Sequence, residues 1–262
     1  FTTMKTKLRK YPSIFLILLL AISSCFLTGC VNQHPKDSKK SSQGESVETM
    51  LEITDPKEKQ AVLNAKAKVK ALSGNPRIVA TSPAVADICD KLDLDLVGVP
   101  KSSVSKIPSR YKKVKKVGLA MSPDMEIVSS LNPDWILAPS SLETDLKPKF
   151  EELKNTEYAF LNLRSVQGMY RSAQELGEIF GKQQEAEKMT KEFTTFYKSY
   201  TKRNKNKKHP KVLVLMGLPG SYVIATENSY IGSLVKLAGG ENVYQNTDQE
   251  FLTVNTEDMK KK

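Results

Sequence analysis

The sequence predicts an α/β protein of two Rossmann-like lobes joined by one long helix, with the second lobe incomplete. From residue 77 onward, short apolar runs of strand length alternate with stretches of helical periodicity. This alternation is typical of a parallel sheet covered by helices on both faces. A polar segment of about 25 residues with a single apolar stripe follows, and beyond it a second strand begins at residue 211. The chain is therefore divided into two α/β units and a connecting helix.

The composition of the 262 residues is that of a globular chain. Hydrophobic residues make up 39% and charged residues 26%, which excludes a largely disordered chain, a fibre or a multi-span membrane protein. The 40 Lys and Arg against 29 Asp and Glu give a formal net charge of +11. Four of the cations lie in the first 29 residues, which contain no acid. The remaining residues therefore hold 36 Lys and Arg against 29 Asp and Glu, a net charge of +7.

Residues 1–29 are predicted to be the signal peptide of a bacterial lipoprotein. The four cations precede an apolar run at residues 14–22 that is too short to span a membrane. Residues 27–30 read LTGC, which resembles a lipobox and implies that Cys30 is lipidated. Stable anchoring of a protein to a membrane requires more than one lipid chain, and the two kinds of lipid on such a cysteine meet this requirement. The alternative is an uncleaved membrane anchor.

Residues 30–76 are predicted to hold the lipidated Cys, a flexible tether and one short helix. The tether, from residue 31 to about residue 48, contains almost nothing to bury. The helix is indicated by DPKE at residues 55–58, which supplies a cap, a first-turn proline and an acid. Apolar residues at 62, 65, 69 and 72 follow at helical spacing.

The first lobe is predicted to occupy residues 77–181. Strands are expected at 77–80, 96–99, 114–118, 135–138 and 158–161. Helices are expected from the 81–83 cap to about residue 92, from Pro123 to about residue 131, and around 143–153. Cys89, the one cysteine left beyond residue 30, is expected to be a small core residue rather than a reactive thiol, so no disulfide framework is predicted.

Residues 182–209 are predicted to form the connecting helix. Its apolar stripe consists of Ala186, Met189, Phe193, Phe196 and Tyr200, spaced 3, 4, 3 and 4. The basic run at 202–208 is interpreted as a solvated helix end, where cations are favoured, rather than as a nucleic-acid site.

Residues 210–262 are predicted to be a partial second lobe. Only 52 residues follow position 210, whereas the first lobe has 105. The stretch DMEIVSSLNPDWI at 124–136 is echoed by NTEDMKKK at 255–262, and the echo stops before its strand. We therefore expect the rest of this lobe to lie beyond Lys262.

Two lobes and a joining helix on a lipid tether resemble the substrate-binding lipoproteins of metal-chelate ABC importers. Three stretches are similar to the haem-binding lipoproteins of the iron-regulated surface determinant system of Gram-positive bacteria. They are KHPKVLVLMGLPGSY at 208–222, PSRYK at 108–112 and GLAMSP at 118–123. The resemblance covers residues 77–262 and implies a metal-chelate type periplasmic-binding-protein fold.

The resemblance implies that Met121 is one of two axial ligands of haem iron, because a methionine holds that loop position in the family. A thioether is a competent ligand for haem iron. The alternative is a methionine on the rim of the lobe without a metal. The second family ligand is a histidine, and here the sequence departs from the pattern. His34 lies in the tether and His209 at the wrong end of its strand, so the second ligand is expected beyond Lys262.

The resemblance also places the haem propionates near a helix start and near the loop after the second strand. Free N–H groups and the positive dipole end of a helix favour carboxylates there; simple capping is a compatible role. The expected residues are Thr81, Ser82, Pro83, Ala84, Val85, Ser103, Val104 and Ser105. In the second lobe, residues 218–222 are expected to form a loop facing the cleft, with Tyr222 either packing on the porphyrin or belonging to the core.

Glu126 and Glu257 occupy corresponding positions in the two echoed stretches. In related importers one acid on each lobe meets arginines of the permease, so the resemblance implies that this pair docks there. The alternative is that both are solvated acids favoured by a helix start.

These expectations describe a haem receptor on the extracellular face of a Gram-positive cytoplasmic membrane. It would capture haem (iron protoporphyrin IX) between its lobes, either free or from a cell-surface donor protein, and deliver it to an ABC permease. The alternatives are the same fold binding a ferric siderophore or cobalamin, and a surface adhesin or scaffold without a small ligand. An enzyme is not predicted, because no set of base, nucleophile and orienting residue is evident, and GLPGS at 217–221 is not a nucleophile elbow.

Overall fold

The computed structural model describes residues 46–218, 221–245, 247–254 and 257. The predicted signal peptide, Cys30, His34 and most of the predicted tether lie outside these residues. The helices are α1 (Val47–Met50), α2 (Pro56–Lys70), α3 (Pro83–Lys91), α4 (Met125–Ser130), α5 (Glu143–Glu151), α6 (Val166–Phe180), α7 (Gln183–Asn204) and α8 (Tyr230–Leu237). Among these described helices, none combines the length and apolar character needed to cross a membrane.

Twelve short strands accompany these helices in the described part of the chain. They are β1 (Ile78–Ala80), β2 (Gly98–Val99), β3 (Lys115–Lys116), β4 (Gly118–Leu119), β5 (Ser122–Pro123), β6 (Trp135–Pro139), β7 (Glu157–Leu161), β8 (Lys211–Val212), β9 (Leu215–Leu218), β10 (Ser221–Ala225), β11 (Glu241–Asn242) and β12 (Phe251–Leu252).

The first lobe is built on a five-stranded sheet in the order β3-β2-β1-β6-β7. Every neighbouring pair in it is parallel. The central strand β1 pairs on one side with β2, where Val79 lies opposite Gly98, and on the other side with β6, where Val79 lies opposite Ile136. The predicted parallel sheet is therefore confirmed.

Alternate residues of the strands β1, β6 and β7 face opposite sides of the sheet. One side holds Ile78, Ala80 and Leu137, which pack against apolar residues of α2, α3, α6 and α7. The other side holds Val79, Ile136 and Phe160, which pack against α4 and α5. Because successive strand side chains point to opposite faces, one short apolar run fills both cores, and the predicted cover on both faces is confirmed.

Helices α1 and α2 form an N-terminal strap that packs on α6. The sequence predicts tether as far as about residue 48, but α1 already begins at Val47, capped by Ser46. Val47 and Leu51 are only 6% and 2% exposed, so the tether prediction is wrong at its C-terminal end. Two apolar residues four positions apart, with a cap before them, are enough to dock one helical turn.

Polar contacts fix the strap. The Arg171 guanidinium donates to the Met50 carbonyl at 2.5 Å, and the Gln174 amide donates to the Leu51 carbonyl at 2.9 Å. Glu178 pairs with Lys66 of α2. These contacts satisfy carbonyls at the C-terminal end of α1 that have no partner inside that helix.

Glu175 is the buried acid of this contact. Its side chain is 2% exposed, and its Oε1 atom has no hydrogen-bond partner among the described residues. Burial, followed by a hydrogen bond with Glu58 of α2, raises the pKa of Glu175 to about 8. The raised pKa favours the protonated carboxyl group, whose hydrogen bond with Glu58 links α6 to α2.

Helices α6 and α8 were not predicted from the sequence. Each begins at a serine cap followed by a glycine at the third helical position: Ser165 accepts from the Gly168 N–H, and Ser229 accepts from the Gly232 N–H, both at 2.9 Å. The glycines are needed for space. A Cβ on Gly232 would lie 2.0 Å from the Thr226 carbonyl oxygen, and one on Gly168 would lie 2.6 Å from that of Asn162.

The connecting helix is α7, with 22 residues. Of its predicted stripe, Ala186 is buried, but Phe196 is 60% exposed, so Phe196 does not belong to the packed face. Tyr197 takes that place: its ring stacks on Phe193 at 5.6 Å, and Phe193 stacks on Tyr170 of α6 at 4.5 Å. A strict 3.6-residue period can be continued through either of two adjacent aromatic residues, which is why the spacing alone did not separate them.

The second lobe differs from its predicted outline. The expected strand at 211–216 is two strands, because β8 pairs in parallel with β11 whereas β9 turns away into an antiparallel hairpin with β10. The expected loop at 218–222 was a wrong interpretation, since Leu218 and Ser221 are paired strand residues. Asn242 joins the parts: its amide donates to the Ala225 carbonyl at 3.0 Å.

We expect Gly232→Ala to lower the free energy of unfolding by about 1–3 kcal/mol, because the added methyl group overlaps backbone atoms that cannot move aside. Gly74→Ala is the matched control, because nothing lies within 4 Å of a Cβ there, and its effect should stay within about 0.5 kcal/mol. Urea unfolding followed by circular dichroism measures both. Equal effects would contradict the packing argument.

We expect Glu175→Gln to flatten the pH dependence of stability. The pKa of Glu175 is raised in the folded state, so above its ordinary value of about 4.3 the unfolded chain binds fewer protons than the folded chain. The resulting loss of stability is absent below pH 4, grows up to about pH 8 and is constant above. Urea midpoints between pH 4.5 and 8 measure it, with the exposed Glu152→Gln as control; an unchanged slope in Glu175→Gln would contradict the assignment.

Candidate ligand-binding edge of the first lobe

Three loops meet at the carboxyl edge of the five-stranded sheet. They follow β1, β2 and β3, which are neighbours in the sheet, so the loops lie side by side at spacings of about 4.8 Å per strand. These loops contain Thr81 and Ser82, then residues 103–105, then Met121. The order of the strands also reverses between β1 and β6: the chain adds β2 and β3 on one side of β1, and then β6 and β7 on the other side. Ligands of open α/β sheets bind at such a switch point.

The loop after β1 is polar and buried. Thr81 is 1% exposed, and its N–H and hydroxyl both donate to the Leu137 carbonyl of β6, at 3.0 and 3.3 Å. Ser82 caps α3, with its hydroxyl accepting from the Val85 N–H at 3.3 Å. Both residues therefore already have structural roles, and the capping role expected from the sequence is confirmed for Ser82.

Only part of the α3 start is available to a ligand. Val85 is fully buried, and its N–H is used by Ser82. Pro83 has no N–H. Of the first three residues of this helix as the structure describes it, Ala84 alone keeps an N–H without a partner, and Ala84 is exposed. The expected row of free N–H groups is thus reduced to one, aided by the positive end of the helix dipole.

The loop after β2 carries Ser103, Val104 and Ser105 on the surface. Val104 is 96% exposed, and the Ser105 N–H donates to the Ser102 hydroxyl at 3.0 Å. The Lys101 N–H donates to the Gly118 carbonyl at 2.7 Å, which joins this loop to the segment that follows β3. The loop therefore has a fixed base and an exposed apolar tip.

Met121 lies at the tip of a tight hairpin. Strands β4 and β5 pair Leu119 with Ser122, so Ala120 and Met121 form the turn between them. Met121 is 73% exposed and Leu119 is 58% exposed. The sequence predicts a helix opening at Pro123; instead Pro123 is a strand residue and α4 begins at Met125, capped by Asp124. The hairpin forms because Gly118 adopts φ of 94°, where glycine is favoured.

Tyr222 lies in the second lobe, on β10, where it pairs with Gly217 of β9. It is half-buried. It is therefore a hairpin residue rather than a loop residue.

The two lobes meet near the connecting helix. The Ser233 hydroxyl accepts from the Val166 N–H at 3.0 Å, and the Arg164 guanidinium lies 2.7 Å from the Glu250 carboxylate. A cavity of about 530 Å³ lies at this junction. Of the predicted ligand residues it includes Ala84, and its wall is otherwise built from residues that the sequence did not single out as ligand-binding, namely Asp87, Ile88, Lys91, Leu163, Met169, Tyr170, Met189, Glu192 and Tyr230.

These lining residues could not be found from the sequence. Met189 was assigned to the stripe of the connecting helix, and the helices that carry Met169 and Tyr230 were not predicted. A larger cavity of about 950 Å³ lies between the strap and α6 and α7. It contains none of the predicted ligand residues.

His209 is an exposed residue after α7 whose Nδ1 lies 2.7 Å from the Gly239 carbonyl oxygen. That contact joins α7 to the end of α8. Cys89 is fully buried, and burial raises the pKa of its thiol to about 12, so the prediction of a core cysteine is confirmed. Within the part of the chain that the structure describes, no cluster of three or more His, Cys, Asp or Glu could hold a metal ion.

Glu126 lies in the first turn of α4, immediately after the Met121 hairpin, and is exposed. Asp124 caps the same helix, accepting from the Ile127 N–H at 3.1 Å. Glu257 is also exposed. Both acids are therefore accessible to a partner.

Known proteins resemble this chain in both sequence and fold. It is 42% identical over 188 residues to the high-affinity heme uptake system protein IsdE of Staphylococcus aureus strain Newman, which covers 71% of this chain and 64% of that protein. The chain thus spans less than two thirds of the length of the curated relatives it matches.

Solved structures share this fold, among them two that are more than 40% identical to this chain. An ABC transporter substrate-binding protein from Listeria monocytogenes EGD-e matches with a TM-score of 0.66 and 46% identity, over 72% of each chain. S. aureus IsdE complexed with heme matches with a TM-score of 0.65 and 41% identity, over 70% of this chain and 71% of that one.

The family model described as periplasmic binding protein matches residues 78–262. This range begins at β1 and takes in both lobes and α7, which are the parts that build the carboxyl edge and the junction. The chain therefore belongs to the periplasmic binding protein family.

Proposed function

We propose that this protein is a haem receptor of an ABC importer: it binds haem at the carboxyl edge of its first lobe, between the lobes, and passes it to a permease. Haem is cargo in this proposal, not a resident cofactor. The observation that carries it is Met121. A methionine held 73% exposed at the tip of a short hairpin is presented outward, in a chain more than 40% identical to a heme-uptake protein.

The chemistry of the edge supports the choice of ligand. The Met121 thioether is a soft donor suited to haem iron, Val104 and Leu119 offer exposed apolar surface to a porphyrin, and the Ala84 N–H at the α3 start favours a carboxylate. We assign Ser103 and Ser105 as further propionate contacts and Tyr222 as a contact from the second lobe. No histidine of the described residues is proposed as the second axial ligand, since His209 contacts Gly239 at the end of α8.

The remaining assignments concern where the receptor acts. We propose that Cys30 is lipidated, that residues 31–45 form the tether, and that the receptor sits on the extracellular face of a Gram-positive membrane. Residues 77–181 and 210–262 are the two lobes in this proposal. Glu126 and Glu257 are assigned to permease docking, and cell-surface proteins are proposed as donors of haem.

Met121→Leu tests the ligand assignment, because it keeps an apolar side chain of similar size and removes the sulfur. We expect the Soret band of the hemin complex to shift and hemin affinity to fall by at least about tenfold, the lower range found for perturbed metal sites. Absorbance titration with hemin measures both.

Met121→His is the matched variant, since imidazole restores a ligand at the same place; it should retain tight binding with a different spectrum. A Soret band that is the same in wild type and Met121→Leu would overturn the role of Met121. Absence of any hemin complex in the wild-type protein would overturn the proposed function itself.

Glu126→Gln and Glu257→Gln test permease docking. Each removes one charge from an exposed acid, so we expect hemin affinity to stay the same while import through a reconstituted permease slows by about fivefold or more, in line with the 1 kcal/mol or greater loss on truncating a contributing interface residue. Glu187→Gln on exposed α7 is the control. Import rates that match the control would contradict the docking assignment.

A further inference from the structure

Residues 96–123, which include β2, β3 and the Met121 hairpin, carry positive charge without an acid of their own. Residues 96–123 contain six lysines and one arginine and no Asp or Glu. Arg110 is neutralised from outside the segment, by Asp93 at 2.7 Å and Asp95 at 2.8 Å. The lysines are not: among the residues that the structure describes, no ion pair involves any of them. Lys112 and Lys113 directly precede the parallel strand β3 and therefore lie at the amino edge of the sheet. We call the other four lysines the basic margin: Lys101, Lys106, Lys115 and Lys116.

The basic margin lies beside the exposed apolar loops of the carboxyl edge. Lys115 and Lys116 form β3, the outermost strand of the sheet on this side, and β3 leads directly into the Met121 hairpin. Lys101 and Lys106 flank the loop that carries Val104. All the lysines of the margin except Lys116 are exposed, so their charges act through solvent on anything approaching the edge.

Protection of a sheet edge explains only part of this charge. Lysines on an outer strand discourage pairing with another chain, and Lys115 and Lys116 serve that purpose. The other two, Lys101 and Lys106, lie outside the strand, in the loop after β2, where no backbone edge needs protection. Their placement on both sides of the loop that carries Val104 calls for a different explanation.

We propose that the basic margin steers an anionic, dicarboxylate porphyrin to the carboxyl edge, raising the association rate. The inference rests on the proposed function and adds to it a residue set that does not contact bound ligand. Clustered charges of one sign raise the local concentration of an oppositely charged ligand and its on-rate, by about 10- to 1000-fold. Because the lysines are exposed, this effect depends on salt and leaves the dissociation rate unchanged.

The test compares two fourfold Lys→Gln variants of equal net charge. One changes the four lysines of the margin, Lys101, Lys106, Lys115 and Lys116. The other changes Lys202, Lys205, Lys207 and Lys208 at the end of α7, all of them exposed. Stopped-flow measurement of hemin binding at low ionic strength gives the association rate, and transfer to apomyoglobin gives the dissociation rate.

We expect the margin variant to bind hemin about tenfold more slowly than wild type at low salt, with the same dissociation rate, and the α7 variant to stay within twofold of wild type. The difference should shrink towards zero at about 0.5 M salt, where charges are screened within a few ångströms. Hemin dimethyl ester lacks both carboxylates, so with this probe the margin variant should match wild type.

Equal slowing of both variants would overturn the proposal, because it would reflect net charge alone. Unchanged association in the margin variant, or slowing that persists with the dimethyl ester, would overturn it as well. These outcomes are separable from failure of the proposed function, in which wild-type protein gives no hemin complex at any salt concentration. Thermal melts of both variants confirm that slower binding does not come from unfolding.

Discussion

The pairing of β1 with β2 and β6 is the constraint on which the first lobe depends. Its three residues are at most 1% exposed, and the strand is bonded on both edges and covered on both faces. Such a strand must be entirely apolar, because a polar side chain there would have no partner. The first polar residue, Thr81, can therefore appear only where the strand ends, and it is satisfied at once by the Leu137 carbonyl of the neighbouring strand.

The position of the candidate site follows from that arrangement. Because the strands are parallel, every loop that leaves them at the carboxyl end lies at the same edge. The Met121 hairpin has a rigid base, formed by the paired strands β4 and β5, and an exposed tip. A Cβ at Gly118 would lie 2.8 Å from the Asp124 N–H nitrogen, so the two arms of the hairpin meet more closely than any other residue allows. Leu119 and Met121 are exposed to water, and burying such a side chain is favourable by about 1.5–3 kcal/mol. Contact with a ligand would bury both side chains and supply this free energy.

The sequence predicted the first lobe well because its signals are local. Apolar triplets such as residues 78–80, and a serine cap followed by proline at 82–83, determine their own structure. The second lobe was predicted poorly because its pairing is not local. Nothing in the run from 211 to 216 indicates that Val212 pairs with β11 whereas Leu215 pairs with β10. Helix α6 was missed because Gly168 and Gly177 weaken its propensity, although close packing is what requires them.

The residues of the candidate site differ in the same way: some can be predicted from neighbouring sequence, and others only from contacts between distant segments. Ser82 was predicted from a helix-cap motif and Met121 from a family resemblance, whereas the junction residues Met169 and Tyr230 are brought together only by packing of α6 against α8. The hydroxyl of Tyr230 lies 4.0 Å from the Met169 sulfur. The charges of exposed side chains also help to locate the site, because electrostatic interactions act over longer distances than packing contacts. The helix-dipole effect at Ala84 falls off within one turn, whereas exposed lysines act over about 10 Å at 0.1 M salt. A lysine need not touch a ligand to influence its binding. The basic margin can be recognised in the sequence because residues 96–123 contain no acid. Its position beside the ligand loops follows only from the order of strands in the sheet.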